Sequence, residues 1–180
     1  MQDEESLVRR AKQRDQEAFA QLYEGYFDKI YRYVALKIGD RMEAEDITQQ
    51  VFLNAIKAIS SFRWRGIPFS AWLFRIAHNQ VVDYLRRKAK RPAIPLDESL
   101  VASDYDPQLI VGQKLDIERL HSATEKLTPA QREVISLRFA GELPIAQVAK
   151  IMGKSEGAVK ALQHSAIVTL RKTLSVAQDK

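Results

Sequence analysis

Apolar residues recur every three or four positions along almost all of this 180-residue chain, and nowhere do they alternate in twos. That period lines side chains up on one side of an α-helix and leaves no amphipathic strand. The fold class is therefore all-α. A short helix is expected over 4–13. The next, Gln16 to Lys37, carries Phe19, Leu22, Tyr23, Tyr26, Ile30, Tyr33 and Val34 on one broad side and Phe27, Tyr31 and Ile38 on a second, and Gly39 and Asp40 end it. A third, Met42 to Ile59, turns Ala44, Ile47, Val51, Ala55 and Ala58 or Ile59 toward a core. Its other face shows Asp46, Gln49, Gln50, Leu53 and Lys57, a polar surface with one leucine in it.

The stretch from Ser60 to Arg91, SSFRWRGIPFSAWLFRIAHNQVVDYLRRKAKR, joins an aromatic, basic loop to a helix with a basic end. On a helical wheel Trp72, Arg75, Asn79, Asp83, Arg86 and Lys90 form one stripe, and Phe74, Ala77, Val81 and Leu85 another that faces a core. Cations in the last turn suit the helix dipole by themselves. The dipole does not account for Trp72 and Asn79 in line with them, or for Phe62 and Trp64 in the loop. Aromatics and cations on one surface suit unstacked bases and phosphates.

Charge divides the chain. Residues 1–91 and 113–180 are net basic, whereas 92–112, PAIPLDESLVASDYDPQLIVG, holds four acids and no base. With prolines at 92, 95 and 107, that segment reads as a flexible acidic linker between two small helical domains. Its 21 residues reach at most about 70 Å. The net charge of +5 favours an anionic partner. No cysteine is present, which excludes disulfides and thiolate metal sites. No stretch has the length and apolarity of a membrane span or a signal peptide, so a cytoplasmic protein without membrane insertion is expected.

In the last block an amphipathic run covers Leu115 to Leu127. Thr128-Pro129-Ala130-Gln131 then combines a threonine cap, a proline at the first helical position and a glutamine at the third. Ile145 to Leu162, IAQVAKIMGKSEGAVKAL, has the spacing of a helix-turn-helix. Ala149 permits a close crossing, Gly153 the left-handed turn, and Val148, Met152, Val159 and Leu162 a shared core. Ser155 caps the second helix, whose outward residues include Glu156, Lys160, His164, Arg171 and Lys172. Such a helix enters a major groove, with Lys160 placed to contact a base or a phosphate and Arg171 and Lys172 further along, toward the backbone.

Taken together, AEDITQQVFLNAIKAI (44–59), SFRWRG (61–66), FSAWLFRIAHNQVVDYLRRK (69–88), LTPAQREVISLRFAGELPIAQVAKIMG (127–153) and KSEGAVKALQHSA (154–166) resemble the extracytoplasmic-function sigma factors, the compact two-domain sigma factors of bacterial RNA polymerase. The resemblance covers about Ala18 to Leu174. It implies a region 2-like domain over 1–91 and a region 4-like domain over 113–180. It implies that Asp46, Ile47, Gln49, Gln50, Phe52 and Leu53 dock on the clamp helices of the polymerase β′ subunit. Phe62, Arg63, Trp64, Arg65, Trp72, Arg75, Asn79, Arg86 and Arg87 fall where the family binds and melts the −10 element, Asn79 lining a pocket for a flipped base. Ser155, Glu156, Lys160, His164 and Arg171 fall in the −35 reader, and the helices before it where the family meets the β-flap. Core RNA polymerase, promoter DNA and an anti-sigma factor are the implied partners, with no cofactor, metal or catalytic residue. The chain departs from the family at Ser165, where members often carry arginine, around Ile167, near which basic residues are common, and at Trp64 and Pro68, which give the −10 loop its own character. No further domain is expected after the helix-turn-helix.

Two other classes fit parts of the pattern. A stand-alone helix-turn-helix regulator would bind duplex DNA tightly without polymerase. A metal-dependent nuclease would have to draw on Asp46, His78 and Asp83, but the three histidines are far apart and lack ligand spacing.

Overall fold

A computed structural model describes residues 3–91 and 107–178, with side chains for 3–91 and 116–176. Among the described residues there are eight α-helices and no strand: α1 (Glu4–Lys12), α2 (Gln16–Ile38), α3 (Arg41–Ala58), α4 (Phe69–Lys90), α5 (Pro107–Thr124), α6 (Pro129–Ile135), α7 (Ile145–Met152) and α8 (Glu156–Gln178). A 3-10 turn, Ile59–Ser61, continues α3, and one turn of π-helix, Ser136–Ala140, continues α6.

Local chemistry sets most of these boundaries. The Asp15 carboxylate accepts from the Glu17 and Ala18 amides at 3.1 and 3.2 Å, and Asp40 accepts from Met42 and Glu43 at 3.0 and 3.1 Å. Each satisfies amides that a helix start leaves without partners. Gly39, at φ +77°, ends α2 in the left-handed conformation. Thr128 and Gln131 form a reciprocal capping box: the Gln131 amide donates to Thr128 Oγ1 at 3.2 Å, and the Thr128 amide donates to Gln131 Oε1 at 3.0 Å. Gly153, at φ +63°, makes the turn between α7 and α8.

One boundary differs from the sequence reading. The helix α5 starts at Pro107, inside the segment read as linker, so residues 107–112 are helical. A proline in the first turn gives up an amide that has no intrahelical acceptor there, and its ring presets φ. Here it opens a helix, although its sequence context reads as a break. The acidic residues Asp97, Glu98, Asp104 and Asp106 lie outside the described residues.

In the N-terminal half α1, α3 and α4 pack around α2. Ile30, Tyr33 and Val34 of α2, Val51 of α3, and Leu73, Phe74, Ala77 and Val81 of α4 are fully buried. Leu85, placed on the core stripe by its spacing, is 42% exposed. From there to Arg91 every residue of α4 is exposed, because the helix outruns the neighbours it packs against.

The C-terminal half is built from α6, α7 and α8, with Leu127, Ile135 and Ala166 in a small core of their own. Its larger apolar side joins the other core: Val134, Leu137, Leu143, Val148 and Val159 are buried in one cluster with α2 and α4. A polar knot lies inside this junction. Glu133 Oε1 accepts from the buried Tyr33 hydroxyl at 2.7 Å, Glu133 Oε2 is paired with Lys37 Nζ, and His78 Nδ1 lies 3.4 Å from Glu133. Burial pushes the Glu133 carboxyl up, but His78, Lys37 and Tyr33 outweigh it and hold the carboxyl at about 2.

Candidate nucleic-acid interface

The loop between α3 and α4 is held from three directions. The Phe62 amide donates to the Ile59 carbonyl at 3.1 Å, and Ser61 Oγ donates to the Ala58 carbonyl at 2.6 Å. From α1, Lys12 Nζ donates to the Phe62 carbonyl at 2.8 Å. Phe62 is only 3% exposed, and its ring lies 5.1–5.8 Å from those of Trp64, Phe69 and Trp72. Phe62 thus anchors the loop, and its face is not open to a base. Trp72, half-buried, packs on Phe62 and Phe69 and belongs to the same cluster. Trp64 turns the other way: it is 42% exposed and stands edge-on to Phe62 at 74°. Arg63 folds back on the loop, donating to the Ser60 and Phe62 carbonyls at 3.0 and 3.1 Å, while Arg65 is exposed.

Along α4, Arg75, Asn79, Asp83, Arg86, Arg87 and Lys90 are exposed, so the polar stripe forms one continuous front beginning beside Trp72. Beyond it an open groove of about 750 Å³ separates the end of α4 from α3, with Asp46, Ile47 and Gln50 on one wall and Arg86, Arg87 and Lys90 on the other. Cations against carboxylates make this groove a place where a nucleic-acid backbone and a protein surface could meet. Tyr84 lies in it, its hydroxyl pushed up by burial and by Glu43 and Asp40, so it stays neutral. His78 does not line it, being engaged with Tyr33 and Glu133. Among the residues whose side chains are described, no group of acids and histidines could hold a metal ion.

The face of α3 read from the sequence divides in two. Ile47 and Phe52 are buried, with the Phe52 ring 4.8 Å from Tyr23, whereas Asp46, Gln49, Gln50 and Leu53 are exposed. Two apolar residues that the sequence reading left out join them: Met42 is 65% exposed and Ile56 48%. Met42, Asp46, Gln49, Leu53 and Ile56 are spaced 4, 3, 4 and 3, a heptad-like seam of the kind one helix offers another. That spacing was visible in the sequence.

On α8, Glu156, Gly157, Lys160, Ala161, His164, Arg171 and Lys172 are exposed on the side away from Val159 and Ala166. Ser155 Oγ accepts from the Ala158 amide at 3.1 Å, which leaves its proton free for a phosphate. Ser165, the departure from the family pattern, has a structural partner: Gln131 Nε2 donates to its Oγ at 2.8 Å, tying α6 to α8.

Known proteins resemble this chain in sequence and in fold. Residues 22–91 match the sigma-70 region 2 family, and residues 123–172 match sigma-70 region 4. Over 170 residues the chain is 38% identical to the ECF RNA polymerase sigma factor BldN of Streptomyces coelicolor, a match covering 93% of this chain and 64% of BldN. It is 32% identical over 178 residues to the ECF RNA polymerase sigma factor SigW of Bacillus subtilis, covering 93% of this chain and 94% of SigW. Among solved structures it resembles CnrH in complex with the cytosolic domain of CnrY, at a TM-score of 0.73 and 25% identity, over 94% of this chain and 96% of that one.

Proposed function

Because the chain belongs to the extracytoplasmic-function sigma factors of RNA polymerase, we propose that it binds core polymerase through α3, reads and opens the −10 element with the 61–68 loop and α4, and reads the −35 element with α8. The observation that carries the residue assignment is the pairing of two outward surfaces: the Arg75–Asn79–Arg86 front of α4, with the exposed Trp64 ring in the preceding loop, on one half and the Lys160 face on the other.

The exposed seam Met42–Asp46–Gln49–Leu53–Ile56 suits a helical partner such as the β′ clamp helices. On α4, Asn79 takes the flipped base, Trp64 stacks on one base, and Arg65, Arg75, Arg86 and Arg87 hold phosphates. Extraction of a base costs a few kcal/mol, and stacking returns about 1–3 kcal/mol. With Phe62 buried, the loop offers one open ring, that of Trp64. Opening a full bubble, at about 1.4 kcal/mol per step, therefore falls mostly to polymerase. Ser155, Glu156, Lys160 and His164 meet the −35 groove, with Arg171 on the backbone. The domains are 1–91 and 113–180, the second prolonged by the start of α5 from Pro107, and the acidic linker between them follows polymerase toward its cleft. An anti-sigma protein is the expected regulator, and CnrH, bound to the cytosolic domain of CnrY, is a solved precedent for a complex of this fold. No helix with described side chains is long and apolar enough to cross a membrane, and work on a promoter places the protein in the cytoplasm.

Run-off transcription with purified core enzyme over a pool of promoters tests the reading. Specific transcripts that require the protein are expected. No transcript with any related core, together with tight binding to free duplex, would overturn it.

A further inference from the structure

Two reading heads that must work far apart are fastened together here. On promoter DNA the −10 and −35 elements lie about two helical turns, ~70 Å, apart. In this structure α7, the first helix of the helix-turn-helix, lies directly on α4. Ser70 Oγ donates to Gln147 Oε1 at 2.5 Å, and Lys150 Nζ donates to the Gly66 carbonyl at 2.8 Å, inside the −10 loop. Trp64, Ile67 and Pro68 share a shallow cleft of about 390 Å³ with Gln147 and Lys150. The other end of the junction is equally close. His121 Nδ1 lies 2.8 Å from the Leu36 carbonyl oxygen. A Cβ on Gly141 would come within 2.9 Å of the Phe74 ring.

Apolar docking alone tolerates sliding, and the buried polar knot does not. Glu133 takes the partners described for it, Tyr33, Lys37 and His78, from the other half of the molecule. When the halves part, the carboxylate gains water and loses all three. A buried, fully paired charge of this kind fixes one register. The exposed Arg32–Glu142 pair at the rim, 3.2 Å apart, adds little.

Building on the promoter-reading function above, we propose that this chain is autoinhibited: its helix-turn-helix domain docks on its −10-reading domain, Glu133 latches the two through Lys37, Tyr33 and His78, and the latch must open before both promoter elements are read. The closed form then subtracts from the fraction of molecules competent to bind, and apparent affinity falls by that fraction.

Two experiments on the full chain decide this. In solution scattering the wild type should show the radius of gyration of a compact 180-residue chain, about 16 Å. Glu133→Gln should expand by on the order of 5 Å or more, with unchanged helicity by circular dichroism. It should also bind core polymerase and promoter on the order of tenfold more tightly. Should Glu133→Gln lose helicity, Tyr33→Phe replaces it, since that change removes the 2.7 Å donor to Glu133 and the 3.4 Å contact with His78 and keeps the ring. In the second experiment Arg32→Cys and Glu142→Cys are joined by a short bismaleimide; the chain has no cysteine of its own. The crosslinked protein should fail to initiate transcription where the uncrosslinked double variant succeeds. A wild type already as expanded as the variant, or a crosslinked protein that initiates normally, overturns the proposal. If the uncrosslinked protein drives no transcript with any related core, the sigma-factor assignment falls instead, and scattering alone still decides whether the latch exists.

Discussion

Trp64→Ala separates the two jobs that aromatic residues share in the 61–68 loop. The ring is 42% exposed and touches the protein edge-on at Phe62, 5.1 Å between centroids. Removing it deletes one aromatic pair, worth about 0.5–1.5 kcal/mol beyond area. In a chain of this size that lowers Tm by roughly 1–6 °C. Its proposed partner, an unstacked base, contributes about 1–3 kcal/mol, so binding to the −10 strand should fall about 5- to 150-fold. Phe62→Ala is the control. That side chain is 3% exposed, and its truncation should cost about 3–5 kcal/mol of stability through the fold itself. The assay is fluorescence anisotropy of a single-stranded −10 probe with holoenzyme, alongside thermal unfolding of the free protein. If Trp64→Ala binds the probe within about twofold of wild type, the base-stacking role is refuted. The same holds if its Tm falls as far as that of Phe62→Ala, since the ring would then be structural.

Four other outcomes follow from the same geometry. Asn79→Ala, on the exposed front of α4, should lose about 5- to 150-fold in open-complex formation while core binding holds; a loss of core binding would remove Asn79 from the flipped-base pocket. Lys160→Glu should erase the −35 footprint and lower the salt slope of DNA binding by about 0.9, and an unchanged footprint would count against the groove assignment of α8. Thr128→Ala breaks the capping box seen at 3.2 and 3.0 Å and should cost about 1 kcal/mol in chemical denaturation; a neutral result would leave the box without energetic weight. Glu133 sits at about 2 when docked, below its ordinary 4.5. It therefore contributes fully above the ordinary value, and the contribution is lost as pH falls toward the docked one. Wild type should lose interdomain stability between roughly pH 5 and 2, with Lys37, His78 and Tyr33 as the facing groups, and Glu133→Gln should lose much less over that window.

Features governed by near neighbours in sequence could be anticipated. The capping box at Thr128 and the glycine turns at 39 and 153 are local chemistry, and the 3.6-residue period already carried the burial of Ile30, Val51 and Phe74. The aromatic loop was harder. An aromatic residue among polar neighbours has the same sequence signature whether it faces water or a core, so nothing local told Phe62 from Trp64. Leu85 shows a second gap, because periodicity gives the face of a helix but not where its neighbours end. On α3 the 4-3-4-3 spacing of Met42, Asp46, Gln49, Leu53 and Ile56 was present, but the polar residues within it masked it as an ordinary wet surface. The docking of the two halves was beyond reach, since its bonds join residues about a hundred positions apart, such as Tyr33 with Glu133.

That shared core has a consequence for anyone engineering this chain. Val134, Leu137 and Val148 are buried in the cluster that spans both halves. Substitutions that raise the melting temperature by tightening their fit also deepen the docked state. A screen that ranks variants by heat resistance would enrich proteins that are sturdier in the tube and poorer at starting transcripts. Variants chosen for output would carry the opposite signature, melting earlier and exposing more apolar surface at rest. Heat tolerance and promoter activity would then be opposed for a mechanical reason, because both draw on the same buried surface.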